Sequence, residues 1–165
     1  RHNKTIFRKS KNMKVLLSES GFNELQYRKW KKDNVTYRGM KNVGQPNDVY
    51  GSLGEGLYTA PKSNISMARQ YGKVYFVVNG KPKKPKVFNS LNDWEVWFQR
   101  NFLTNYDRLS EFEKVTSIRA EMLKLGYDGI IIVGREMVNY TPEDVMYFSN
   151  ETQLENYFFS KIQNQ

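Results

Sequence analysis

Three short segments hold the side chains that could do chemistry. The first is Val35-Thr36-Tyr37-Arg38-Gly39, a β-rich stretch that ends in an Arg followed by Gly. A guanidinium can take a pyrophosphate through paired N–H donors, and glycine lets the backbone come close to a flat ligand. Standing alone, a strand Arg is usually just solvated. The second segment is Gly54-Glu55-Gly56-Leu57-Tyr58-Thr59-Ala60, followed by Ala68-Arg69-Gln70-Tyr71-Gly72. An aromatic on a strand and another at the end of the next helix can clamp a planar ring, although either Tyr alone reads as core. Gly54 and Gly56 leave a loop and enter a strand, which argues against a strand-to-helix dinucleotide cradle. The third segment runs Gly126-Tyr127-Asp128-Gly129 through Ile130-Ile131-Ile132-Val133 to Gly134-Arg135-Glu136-Met137-Val138. A carboxylate just after an apolar strand costs free energy unless a partner is provided. The plain alternative for Glu136 is a surface ion pair with Arg135. A metal nuclease using Asp128 and Glu136 would want a Lys where Val138 stands.

Two absences narrow the chemistry further. The 165-residue chain has no Cys, which excludes disulfides, thiolate metal sites and a Cys nucleophile. Its one His is His2, near the start of a polar segment, so imidazole acid–base work, a Ser-His-Asp triad and a His-ligated zinc are poor expectations. Carboxylates, Arg, Lys, Tyr, hydroxyls and backbone groups remain.

The elements that must position these residues follow from the pattern. Residues 1–12 read as a flexible basic lead-in, and 13–32 as one or two helices with Gly21 as a break. Val35–Arg38 is a short strand entering a long loop, Met40–Glu55. Leu57–Thr59 is a strand, and Ser63 or Asn64 caps a helix through Met67, Ala68 and Tyr71. Val74–Val78 is a buried strand ended by Asn79-Gly80. The two prolines between Lys81 and Lys86 belong on an edge or connector, before Val87-Phe88 resumes pairing. Asn92 starts a helix carrying Trp94, Trp97, Phe98 and Phe102, and Ser110–Leu125 forms another, stopped by Gly126. Asp128–Val133, Glu136–Tyr140 and Val145–Phe148 are strands, and 151–162 is a final helix. Strands and helices mix without a βαβ repeat, so the class is α+β.

Taken in order, the three segments resemble the ADP-ribosyltransferase superfamily, particularly the ADP-ribosyltransferase-like domains of phage and bacterial proteins, over Val35 to Phe148. Tyr37-Arg38-Gly39 is similar to the first motif of the class named for its Arg, Ser and Glu. Gly56-Leu57-Tyr58-Thr59-Ala60 is more similar to the second motif of the poly(ADP-ribose) polymerase class, with Tyr71 as the other face of the clamp. Gly134-Arg135-Glu136 sits where the superfamily keeps its catalytic Glu, and Asn139–Val145 resembles the strand exit after it. The resemblance implies an α+β split β-sandwich core with flanking helices, in one domain of 165 residues whose NAD-binding core covers 33–150. It implies transfer of ADP-ribose from NAD, as co-substrate and without a metal, to a protein or nucleic-acid acceptor. Glu136 would be the catalytic carboxylate, and Arg38, Gly39, Tyr58, Thr59 and Tyr71 would bind NAD, with Ser52, Glu55 and Arg69 as helpers. Arginine-modifying members carry an acid two residues before the Glu; here that residue is Gly134, which argues against arginine as acceptor.

Charge bears on the acceptor. The net charge is +9, and residues 1–40 hold eleven Lys and Arg against three Asp and Glu. That basic end attracts nucleic acid or an acidic partner, or is simply solvated. The best apolar run, Ile130–Val133, is far short of the ~18 residues of a membrane span, and no signal peptide is read at the N-terminus. The expected setting is a bacterial or host cytoplasm, with the chain as a possible part of a larger polypeptide. Two other functions are compatible with the same residues: an NAD glycohydrolase, with water as acceptor, and a non-enzymatic basic module that binds nucleic acid.

Overall fold

The computed structural model describes residues 5–7, 16–44, 51–102 and 108–162. The chain divides into two compact units, residues 1–34 with 152–165, and residues 35–151.

In the first unit, β1 (Thr5–Phe7) and β2 (Leu16–Ser18) form an antiparallel hairpin, and α1 (Glu19–Asn34) follows directly. Two expectations change here. Gly21 lies inside α1 rather than breaking it, because a single helical glycine costs only about 1 kcal/mol and the helix continues through thirteen further residues. Residues 16–18, expected to be helical, are strand. The lead-in expected over 1–12 lies outside the described residues apart from Thr5–Phe7. α1 turns Tyr27 inward, where its ring centroid lies 5.5 Å from that of Phe158, and Trp30 stacks near Tyr157 and Phe158. These partners come from α5 (Glu151–Tyr157) and the π-helical turn Phe158–Ile162 that continues it.

The second unit contains two open sheets. In one, β3 (Val35–Met40), β5 (Lys73–Val78) and β9 (Met146–Phe148) run antiparallel in the order β3-β5-β9. In the other, β4 (Leu57–Thr59), β8 (Glu136–Asn139), β7 (Gly129–Ile132) and β6 (Pro85–Phe88) lie in the order β4-β8-β7-β6. β6 runs parallel to β7 on the outer edge, where its proline removes no ladder donor that the sheet needs. Two helices, α3 (Leu91–Asn101) and α4 (Glu111–Lys124), supply Trp94, Phe98, Ile118 and Met122 to a core with Ile130, Ile132 and Val138. Ser90, not Asn92, caps α3: its Oγ accepts the Asp93 N–H at 3.1 Å. Ser110 and Glu113 close a reciprocal capping box on α4, and the main-chain and side-chain hydrogen bonds to Ser110 hold the Glu113 carboxyl below its usual range. A 3-10 turn, Lys62–Asn64, leads into the short α2 (Ile65–Arg69). The architecture is α+β.

Candidate active site

Among the described residues, one isolated main-chain bridge links the two sheets of the second unit. Tyr37 on β3 and Ala60, just past β4, form an isolated antiparallel bridge, Tyr37 N–H to Ala60 O at 2.9 Å and Ala60 N–H to Tyr37 O at 2.8 Å. Because Tyr37 spends both main-chain groups on Ala60, alternation directs Thr36, Arg38 and Met40 toward β5. It directs the N–H and C=O of Gly39 the other way, toward β4. In continued register Gly39 would meet Tyr58, but the pairing of β3 with this strand is a single bridge, and beyond it the two strands part. The Arg38 guanidinium enters this fork and donates from Nη1 to the Tyr58 carbonyl at 2.8 Å. Arg38 is 7% exposed, so it straps the fork from inside the protein.

Glu136 opens β8. The last pair of β4 and β8 is Thr59 with Met137, so one step further sets Glu136 beside Ala60 and in a row with Tyr37 across three strands. Its side chain is only 13% exposed, and the Arg135 Nε, on a side chain 45% exposed, lies 3.7 Å from its Oε2. The ion pair weighed from the sequence therefore exists. Cross-strand neighbours share a face, so Glu136, Ala60 and Tyr58 lie on the face of Val138, toward α4. Thr59 and Arg38 lie on the other face; Thr59 and Thr36 stand under the Asn79-Gly80 turn, where Asn139 Nδ2 donates to the Gly80 carbonyl at 3.2 Å. Thr59 is 3% exposed.

Gly39 and Tyr71 meet at the end of β3. A Cβ built on Gly39 would stand 1.7 Å from the Ala68 carbonyl oxygen and 3.3 Å from the Tyr71 Cβ. The glycine lets α2 press its C-terminal turn onto the strand, a role the sequence did not reveal. Tyr71 follows that turn and is 60% exposed, beside an open groove of about 630 Å³ lined by Lys41, Arg69, Gln70, Tyr71 and Gly72.

Tyr58 is committed differently from Tyr71. Its hydroxyl donates to the Gly54 carbonyl at 2.5 Å and accepts the Leu53 N–H at 2.9 Å. The Tyr140 hydroxyl, buried, donates to the Leu53 carbonyl at 2.6 Å. Tyr58 on β4 and Tyr140, just past β8, thus pin the loop Gly51–Glu55. Burial pushes the Tyr140 phenol well above its ordinary range, with the Arg119 charge opposing the shift. In that loop Ser52 is exposed and Glu55 half-buried. Tyr37, in the Glu136 row, is raised by burial and then by the Glu151 carboxylate; Tyr147 is raised by burial and drawn down by Arg38.

Sequence reasoning missed Tyr140 and Asn64. Of the two candidates Ser63 and Asn64, Asn64 stands at the N-cap of α2, but its side chain makes no cap bond and donates from Nδ2 to the Arg135 carbonyl at 2.8 Å, across 71 residues. Only the residue types hinted at either role.

Among the described residues no group of three or more His, Asp or Glu side chains could hold a metal ion, and no helix is long and apolar enough to cross a membrane. No protein-family model matches the chain, and no curated protein matches it either. One solved structure, described as the crystal structure of an anti-CRISPR protein, is similar at 15% identity and a TM-score of 0.41, covering 69% of this chain and 94% of its own.

Proposed function

We propose that the chain is an NAD-dependent mono-ADP-ribosyltransferase on a split β-sandwich core. It transfers ADP-ribose from NAD to a macromolecular acceptor, protein or nucleic acid, and releases nicotinamide. The observation that carries this reading is the fork itself. A largely shielded carboxylate, Glu136, lies one strand from the place where β3 and β4 part. Gly39 faces the same gap, with an exposed Tyr71 at its side. The sequence resemblance rests on these same residues in the same order.

In the reaction the bond between the nicotinamide nitrogen and the ribose C1′ breaks, and its electron pair leaves with nicotinamide. C1′ gains cationic character, as in a glycosidase, and a fixed carboxylate stabilises it; that role belongs to Glu136. The acceptor's nucleophile then bonds to C1′ and gives up its proton. A carboxamide offers one carbonyl acceptor and two N–H donors, which match the N–H and C=O of Gly39. Tyr71 supplies a face for the ring. On this reading Arg38, whose Nη1 holds the Tyr58 carbonyl, takes the pyrophosphate, and Thr59 lies on the same face. Tyr58 contributes by fixing the Gly51–Glu55 wall. The setting on this reading is a bacterial or host cytoplasm, with no metal required.

The test is nicotinamide release from NAD by wild type and by Glu136→Gln, each with and without cell lysate. The near-isosteric change removes the charge and lowers the rate on the order of 10²-fold while NAD binding persists. Equal rates would remove Glu136 from the chemistry. Release at the same rate without lysate would make water the acceptor.

A further inference from the structure

We propose that Asn64 is a positioning residue for Glu136, which rests on the ADP-ribosyl-transfer reading above. Glu136 follows a three-residue hairpin turn, Val133-Gly134-Arg135, closed by the pairing of Ile132 with Glu136 and by the Arg135 N–H on the Ile132 carbonyl at 3.0 Å. All three turn residues are exposed, and Gly134 sits at φ +72 with open space around it. The Val133 N–H on the Phe88 carbonyl at 2.9 Å ties the start of the turn to β6, but the Arg135 carbonyl at its far end lies on the exposed side.

The restraint comes from the other side of the fork. Asn64 Nδ2 donates at 2.8 Å to the carbonyl of Arg135, the peptide that leads directly into Glu136. Asn64 is held in turn: its N–H donates to the Pro61 carbonyl at 3.0 Å, and Ser66 Oγ donates to its Oδ1 at 3.4 Å. It also stands four residues after Ala60, the residue beside Glu136 in the strand row. One short segment therefore sets both the neighbour of Glu136 in the sheet and the peptide plane that aims it. An Asn just before a helix ordinarily accepts a backbone N–H and caps it. Here the carboxamide makes no cap bond: its Oδ1 takes the Ser66 hydroxyl and its Nδ2 makes the long-range bond. Misplacement of a reacting group by about 1 Å can cost 10²-fold in rate, so a bond that fixes this peptide is worth more to turnover than to stability.

The experiment compares nicotinamide release by wild type, Asn64→Ala, the isosteric Asn64→Asp that lacks the donor, and both changes in a Glu136→Gln background. For the single variants kcat falls roughly 10- to 100-fold, while KM for NAD changes less than about twofold. In the Glu136→Gln background the Asn64 changes have no further effect, because the carboxylate they position is gone. If Asn64→Ala fails to fold, Asn64→Asp alone carries the comparison. An unchanged kcat, or a loss of the same size in both backgrounds, overturns the assignment, since a merely structural role would lower both equally. Wild type that releases no nicotinamide overturns the reaction and this role with it.

Discussion

Replacing Gly39 by Ala tests the junction on which the site is built. The new methyl would stand 1.7 Å from the Ala68 carbonyl oxygen and 2.8 Å from its carbon, where an ordinary contact begins near 3.4 Å. Both are backbone atoms, so no rotamer change relieves the clash; α2 must withdraw from β3 by about the difference between those distances. α2 is short, Ile65–Arg69, and its one buried side chain is Ala68. It can move as a unit, at the cost of opening the strand surface beneath it. Overpacking of this kind costs about 1–3 kcal/mol, and a clash against main chain belongs at the upper end. For a chain of this size that lowers Tm by about 6–9 °C, at about 3 °C per kcal/mol. Thermal unfolding followed by circular dichroism reads the shift, and Gly44→Ala serves as the control. Gly44 has φ +100 but nothing within 4 Å of a built Cβ, so its substitution carries backbone strain alone, about 1–2 kcal/mol. A Gly39→Ala protein as stable as wild type would refute the close approach of α2 to β3. Nicotinamide release should fall further than stability does, because Tyr71 moves with the helix.

Tyr140→Phe removes the buried donor from the Leu53 carbonyl. An unsatisfied buried acceptor costs about 1–3 kcal/mol, so Tm should fall by about 3–9 °C. A loss of less than a degree would mean the Gly51–Glu55 loop is held without it. Stability should also decline at high pH. Burial raises Tyr37, Tyr140 and Tyr147 above their ordinary phenol range in the folded chain. The folded state then holds these protons while the unfolded chain loses them near pH ~10. Their contribution is complete below that pH and is lost as pH climbs toward the folded values. Absorbance titration at 295 nm should show Tyr37, Tyr140 and Tyr147 ionising late and together with unfolding; ionisation of all three before the chain unfolds would contradict their burial.

Much of the fold is written in local chemistry. The apolar runs at Val74–Val78 and Ile130–Ile132 make buried strands whatever surrounds them, and Ser110 with Glu113 starts α4 through a capping box legible as a four-residue pattern. Where two local signals compete, long-range packing decides. Gly21 is absorbed by α1, whose Tyr27 and Trp30 are gripped by rings from residues 157 and 158. The cap expected at Asn92 moves to Ser90, where the extended backbone lets a hydroxyl reach the Asp93 N–H.

The types and order of Arg38, Gly39, Tyr58, Thr59, Tyr71 and Glu136 belong to the sequence, as does the lack of Cys and the near lack of His that leaves Glu136 prominent. Their arrangement does not. A strand of period two puts neighbours on opposite faces, so Arg38 and Glu136 part company only once β3 and β4 are bridged at Tyr37 and Ala60. Gly39 reads as a place for a ligand, and only the fold shows that α2 needs it bare as well, with the Ala68 carbonyl against its Cα. Tyr58 and Tyr71 look alike on paper; one is tied down by its hydroxyl and the other stands open. The bond from Asn64 to the peptide before Glu136 spans 71 residues, and no local pattern encodes it. Composition limits which groups can act, while register and long-range hydrogen bonds decide which of them face one another.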